Sequence, residues 1–183
     1  GRTAACEKEI DISGRYIVPG FVDIHFHGMN LFDFTLGQFD QQKGAFDAGP
    51  SAYENGLRML RKALPAFGVT RFLVGTFAAS ADSLRRSYGC LADFMKKGQA
   101  PADGAIVLGG NLEGSFISPD MAGAQNPEYV FKPSPEAFDR IEDKGTIKTA
   151  LVGPDSGEPA IALTKYLTGK GIVVGAGHTN ATC

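Results

Sequence analysis

Three histidines and one glutamate are the residues of this 183-residue chain whose types and positions point to chemistry. His25 and His27 stand two apart behind the apolar run Phe21-Val22-Asp23-Ile24, and the period of two in extended chain turns both imidazoles to one face. Such a pair at a strand end suits a metal ion such as zinc or iron, although two hydrogen-bonded core histidines would show the same spacing. Glu113 ends the segment Gly109-Gly110-Asn111-Leu112-Glu113. A carboxylate there is costly to bury unless it meets a cation, and a salt bridge or a helix N-cap is the alternative. His178 follows Gly175-Ala176-Gly177, small residues that let a ligand approach the backbone, and it also reads as an ordinary loop histidine.

The elements that position these residues follow from periodicity. Short β-branched or aromatic runs at 21–25, 71–74, 105–108, 147–152 and 172–174 are bounded by Gly, Pro or polar residues and predict buried strands. Between them, Leu57, Leu60, Leu64 and Phe67 are spaced as a helix that Pro65 must bend or stop, and Leu84, Tyr88, Leu91 and Met95 as a second, capped by Ser80. Ser134-Pro135-Glu136 opens a third helix and residues 157–167 give a fourth. Alternation of this kind predicts an α/β fold with parallel strands, either an open doubly wound sheet or a (β/α) barrel. Residues 28–50 and 115–133 are expected to be long loops leaving the C-terminal ends of strands, the side where α/β enzymes place their sites. All three histidines and Glu113 fall on that side, which favours a metal site over the separate alternatives. Asp155, after the fourth strand, is a further polar group near that rim, with surface solvation its expected fate.

Composition narrows the class of partner. A formal net charge of -2 gives no basic footprint for nucleic acid or an anionic membrane, and no apolar run is long enough to span a bilayer. Cys6, Cys90 and Cys183 are odd in number and far apart, which argues against a disulfide framework or a cysteine zinc site. With no signal-peptide pattern at its start, the chain is expected in the cytoplasm.

The segment from Asp11 through Val18-Pro19-Gly20-Phe21 into His25-Phe26-His27-Gly28 resembles the barrel entrance of the amidohydrolase superfamily. More specific are Leu112-Glu113-Gly114-Ser115-Phe116-Ile117-Ser118, Gly123-Ala124-Gln125-Asn126-Pro127-Glu128-Tyr129 and Gly177-His178-Thr179-Asn180-Ala181, which in that order resemble N-acetylglucosamine-6-phosphate deacetylases. The resemblance runs from about residue 11 to the end. It implies a TIM-barrel (β/α)8 fold of which about the first five units are present in residues 19–183, with residues 1–18 the tail of a small flanking β-sandwich domain. It implies Glu113 and His178 as ligands of the main catalytic metal and His25 and His27 as ligands of a second, so one or two divalent ions, zinc or iron. Ala124 and Gln125 would line the sugar site. The implied reaction is deacetylation of N-acetylglucosamine 6-phosphate, a step of amino-sugar catabolism, in a homodimer.

No catalytic acid or base is expected within this chain. The family's general-base aspartate follows the eighth strand and another histidine ligand the sixth, so both would lie beyond Cys183, and the fragment alone is expected to be inactive. Proline is usual where Ser115 stands and histidine where Gln125 stands. Competing assignments are an N-acetylgalactosamine-6-phosphate deacetylase and a non-catalytic truncated remnant.

Overall fold

The computed structural model describes residues 10–182; residues 1–9 and Cys183, with part of the expected β-sandwich remnant, lie outside the described residues. Residues 10–20 form an exposed, irregular segment containing one turn, in which the Asp11 carboxylate accepts from the backbone and hydroxyl of Ser13. The elements that follow are β1 (Phe21–Asp23), β2 (Gly28–Met29), β3 (Phe32–Asp33), β4 (Gly37–Asp40), β5 (Ala45–Asp47), α1 (Pro50–Ala63), β6 (Val69–Thr76), α2 (Ala81–Lys96), β7 (Ile106–Leu112), α3 (Pro135–Ile141), β8 (Ile147–Val152), α4 (Glu158–Gly169) and β9 (Val173–Ala176). Five strands make one parallel sheet in the order β1-β6-β7-β8-β9, so each is joined to its neighbour by a crossover containing a helix. The result is a half-barrel sheet. The helices pack on one another in chain order, α1 on α2, α2 on α3 and α3 on α4.

Local chemistry sets the helix ends. Helix α1 starts earlier than its apolar spacing suggests, at Pro50, and Pro65 converts its last turn to a 3-10 helix closed by Gly68. Gly68 sits at φ 78, where a side chain would be strained. Ser80 and Ser134 cap α2 and α3, accepting from the amides of Ser83 and Ala137. Tyr53, Leu57, Leu60, Leu84, Tyr88, Leu91, Phe138, Ile141, Leu163 and Leu167 meet Phe72, Val74, Val107, Leu112, Ile147 and Ala150 of the sheet in one core. None of the helices is long and apolar enough to cross a membrane among the described residues.

The segment 28–50 is more ordered than a long loop. It folds into a four-stranded antiparallel meander, β2-β3-β4-β5, in which Phe39 opposes Phe46. Phe32 and Phe34 leave the meander for the core, and Tyr53 of α1 donates to the Phe34 carbonyl at 3.0 Å. Helix α1 comes so close that a Cβ at Gly56 would lie 2.3 Å from the Phe32 ring. Segment 115–133 contains only two 3-10 turns, Pro119–Met121 and Pro127–Tyr129.

Candidate metal centre

Glu113 follows β7 directly, is 8% exposed, and carries its carboxylate into the space above the C-terminal ends of the strands. His27 Nε2 lies 2.9 Å from its Oε2, and His178 Nε2 3.0 Å from its Oε1. His25 is looser, with Nε2 3.5 Å from Oε1, its ring at a T-shaped angle to His27. Ligand atoms of His25, His27 and Glu113 all lie within 4.8 Å of one another. The four residues singled out in the sequence thus meet on one carboxylate. Asp155 stays apart. It is exposed and accepts from the Thr179 hydroxyl and, at 2.9 Å, from the Asn180 amide, holding the chain that follows His178.

The outer nitrogens decide what the inner ones can do. His27 Nδ1 is 3.0 Å from the Gly75 carbonyl and His178 Nδ1 is 2.9 Å from the Met121 carbonyl, so both Nδ1 atoms carry hydrogen. In a neutral ring that leaves an Nε2 lone pair facing a carboxylate oxygen, an arrangement that repels unless a proton or a metal cation lies between. Protons serve without metal. The hydrogen bond to Glu113 raises the His27 pKa against the effect of its partial burial, and the Met121 carbonyl, followed by Glu113, raises that of His178. Burial works to raise the Glu113 pKa, but hydrogen bonds from His27 and His178 and the charges of His27 and His25 outweigh it and leave it below its ordinary value. Two neutral imidazoles and a carboxylate in this orientation are a donor set that fits zinc or iron.

His25 differs. Its Nδ1 is 3.1 Å from the amide nitrogen of Asn111, which also donates to the Ile24 carbonyl at 2.8 Å. An amide donating to Nδ1 leaves the hydrogen on Nε2, so in this arrangement His25 is a donor toward Glu113, and ligation through Nε2 requires the ring to change tautomer. Beside the cluster a cleft of about 580 Å³ is lined by His27, Glu113 and His178 together with Phe77, Gln125 and Tyr129. Asp33 also faces it, partly buried and with its pKa raised by that burial.

With the cluster and cleft defined, comparison with known proteins is informative. No protein-family model matches the chain. It is 31% identical over 178 residues to the N-acetylglucosamine-6-phosphate deacetylase of Lysinibacillus sphaericus, covering 95% of this chain and 41% of that protein. It is 29% identical to the enzyme of that name from Caenorhabditis elegans, covering 96% and 40%. Among solved structures, N-acetyl-D-glucosamine-6-phosphate deacetylase from Mycobacterium smegmatis superposes with a TM-score of 0.70 at 26% identity, over 98% of this chain and 42% of that one. The Thermotoga maritima deacetylase gives 0.65 at 26% identity, over 90% and 38%. Over nearly its whole length this chain is similar to N-acetylglucosamine-6-phosphate deacetylases. It spans about two-fifths of the length of the deacetylases it matches.

The two departures from the deacetylase pattern have physical consequences. Ser115 adopts φ 80, a backbone that proline, locked near -65°, cannot reach. Its buried hydroxyl has no partner among the described residues, while its carbonyl receives the Phe131 amide. Gln125 lines the cleft and accepts the Ala78 amide at 2.7 Å. The sequence reading missed Asn111 and Asp33. Asn111 was findable, since a polar residue two before Glu113 shares its face of β7. Asp33 lay in a segment read as loop, and the Gly75 and Met121 carbonyls carry no sequence signal.

Proposed function

We propose that this chain is part of a metal-dependent hydrolase that converts N-acetylglucosamine 6-phosphate to glucosamine 6-phosphate and acetate in the cytoplasm. The observation that carries the reading is the convergence of His27 and His178 on Glu113 beside an open cleft, in a chain similar to deacetylases over nearly its whole length. In this reading Glu113 and His178 hold the main ion, zinc or iron, and His25 and His27 a second. When bound, such an ion supplies Lewis acidity and lowers the pKa of water to about 7. The chain's own residues do the rest. Glu113 balances the cationic charge, the Gly75 and Met121 carbonyls fix two ring orientations, and Ala124 and Gln125 line the sugar side of the cleft.

The same reading makes residues 19–183 the first five units of a (β/α)8 barrel and residues 1–18 part of a flanking β domain, in a protein that works as a homodimer. It assigns the general-base aspartate and a further histidine ligand to residues outside this chain, so the 183 residues alone should not turn over substrate. The test is acetate release by the whole metal-loaded protein. Activity on N-acetylglucosamine 6-phosphate should fall by about 100-fold or more in Glu113→Gln, which has less charge to hold the metal. Equal hydrolysis of unphosphorylated N-acetylglucosamine would remove the sugar-phosphate assignment while sparing the reaction class. Preference for the galacto epimer would correct the sugar.

A further inference from the structure

Thr35 lies in the turn between β3 and β4, where a polar side chain ordinarily meets water, yet it is 1% exposed. The Asp33 carboxylate shapes this turn by accepting from the Thr35 and Leu36 amides at 2.7 and 2.9 Å. Thr35 then reaches two elements outside the meander. Its Oγ1 accepts the Phe77 backbone amide, in the loop after β6, at 3.1 Å, and its carbonyl accepts the buried Ser87 hydroxyl of α2, also at 3.1 Å. Both sides of this junction face the cleft, Asp33 and Leu36 from the turn and Phe77 from the loop. The Phe77 ring in turn meets that of His27 edge-on, with centroids 6.2 Å apart. Thr35 itself stands behind these residues and makes no hydrogen bond to His25, His27, Glu113 or His178.

We propose that Thr35 is a positioning residue for the cleft: its hydroxyl clips the β3–β4 turn to the loop after β6 and so fixes Phe77 relative to Asp33 and Leu36. A backbone N–H can only donate, and one left unmatched in a buried place is costly, so the loop depends on an acceptor at Thr35. Helix α2 supplies the fixed point, because Ser87 holds the Thr35 carbonyl while the hydroxyl holds Phe77. Walls held in this way meet a ligand without first being ordered, which lowers the cost of binding. The inference rests on the amino-sugar phosphate reading and adds to it a residue behind the cleft.

Two substitutions in the whole protein separate the hydroxyl from the packing around it. Thr35→Val keeps the branched shape and loses the acceptor; Thr35→Ser keeps the acceptor and loses a methyl group. Hydrogen exchange at the Phe77 amide should quicken about tenfold or more in T35V and stay near the wild-type rate in T35S. For the zinc-loaded protein on N-acetylglucosamine 6-phosphate, KM should rise about fivefold or more in T35V with kcat within about twofold, and T35S should restore KM. Unchanged Phe77 exchange in T35V would overturn the clip. Quickened exchange with a wild-type KM would overturn the positioning role and leave Thr35 a structural residue. If T35V does not fold, Ser87→Ala, which releases the Thr35 carbonyl from α2, decides instead: a raised KM supports the role and a wild-type KM overturns it. A wild-type protein that turns over no amino-sugar phosphate would overturn the function and the positioning role together, with Phe77 exchange still deciding the clip.

Discussion

Glu113 is surrounded by three imidazoles, and its protonation balance governs how the metal-free centre responds to pH. Its lowered pKa means its stabilising contribution is complete above the ordinary value of 4.5 and is lost as pH falls through the lowered one. The raised pKa values of His27 and His178 work in the other direction: their contributions are complete below 6.5 and are lost as pH rises through the raised values. In chelator, the melting temperature should therefore be highest between these limits and decline on the alkaline side. Added zinc should reverse that decline, because it replaces the protons the imidazoles lose. A melting temperature in chelator that climbs steadily from pH 6.5 to 9 would contradict the cluster. Ser115 gives a second expectation at this scale. Its φ of 80 and its unpartnered buried hydroxyl are both relieved by glycine, so Ser115→Gly should stabilise by about 1 kcal/mol in thermal denaturation. Ser115→Pro, although it restores the residue usual in the deacetylase pattern, should destabilise the loop.

Helix α1 and the meander are joined through a glycine, and two effects compete there. Replacing a helical glycine by alanine ordinarily gains about 1 kcal/mol from propensity. At Gly56 the added Cβ would enter the ring of Phe32, which is 2% exposed and edge-on to both Phe34 and Tyr53, so it has nowhere to turn. Overpacking of this kind costs about 1–3 kcal/mol, which outweighs the propensity term. Gly56→Ala should lower stability in urea titration, and exchange of the meander amides should quicken more than that of β6 and β7. The consequence reaches the site because Asp33, Leu36 and His27, all walls of the cleft, hang on this packing.

At the scale of the whole chain, the parallel sheet ends in β1 and β9, neither of which has an outer neighbour among the described residues. Phe21 is 67% and Val173 66% exposed, and a cleft of about 490 Å³ lined by Val152, Ala160, Ile161 and Val174 opens beside β9. Apolar side chains along an unpaired edge invite strand pairing and association. Light scattering of these 183 residues should show mass rising with concentration, and Val173→Lys should reduce it by placing a charge on the edge. A monodisperse monomer at every concentration, with Val173→Lys indistinguishable from it, would mean the edges are protected in some other way.

What the sequence determined is what depends on neighbours a few positions away. Strand and helix periods, the Ser80 and Ser134 caps, the break at Pro65, and the placement of His25, His27, Glu113 and His178 past strand ends all follow from local spacing, and the alternation of elements imposes parallel pairing. Tertiary structure decided whatever depends on distant partners. The meander rests on strands as short as two residues, too brief to show alternation, and is held by Phe32 and Phe34 packing into a core formed from later helices. The states of His27 and His178 are set by carbonyls 48 and 57 residues away, and that of His25 by an amide 86 residues away. A side chain's type says that it can bind a metal; which of its atoms faces the metal is fixed by the backbone the fold brings behind it.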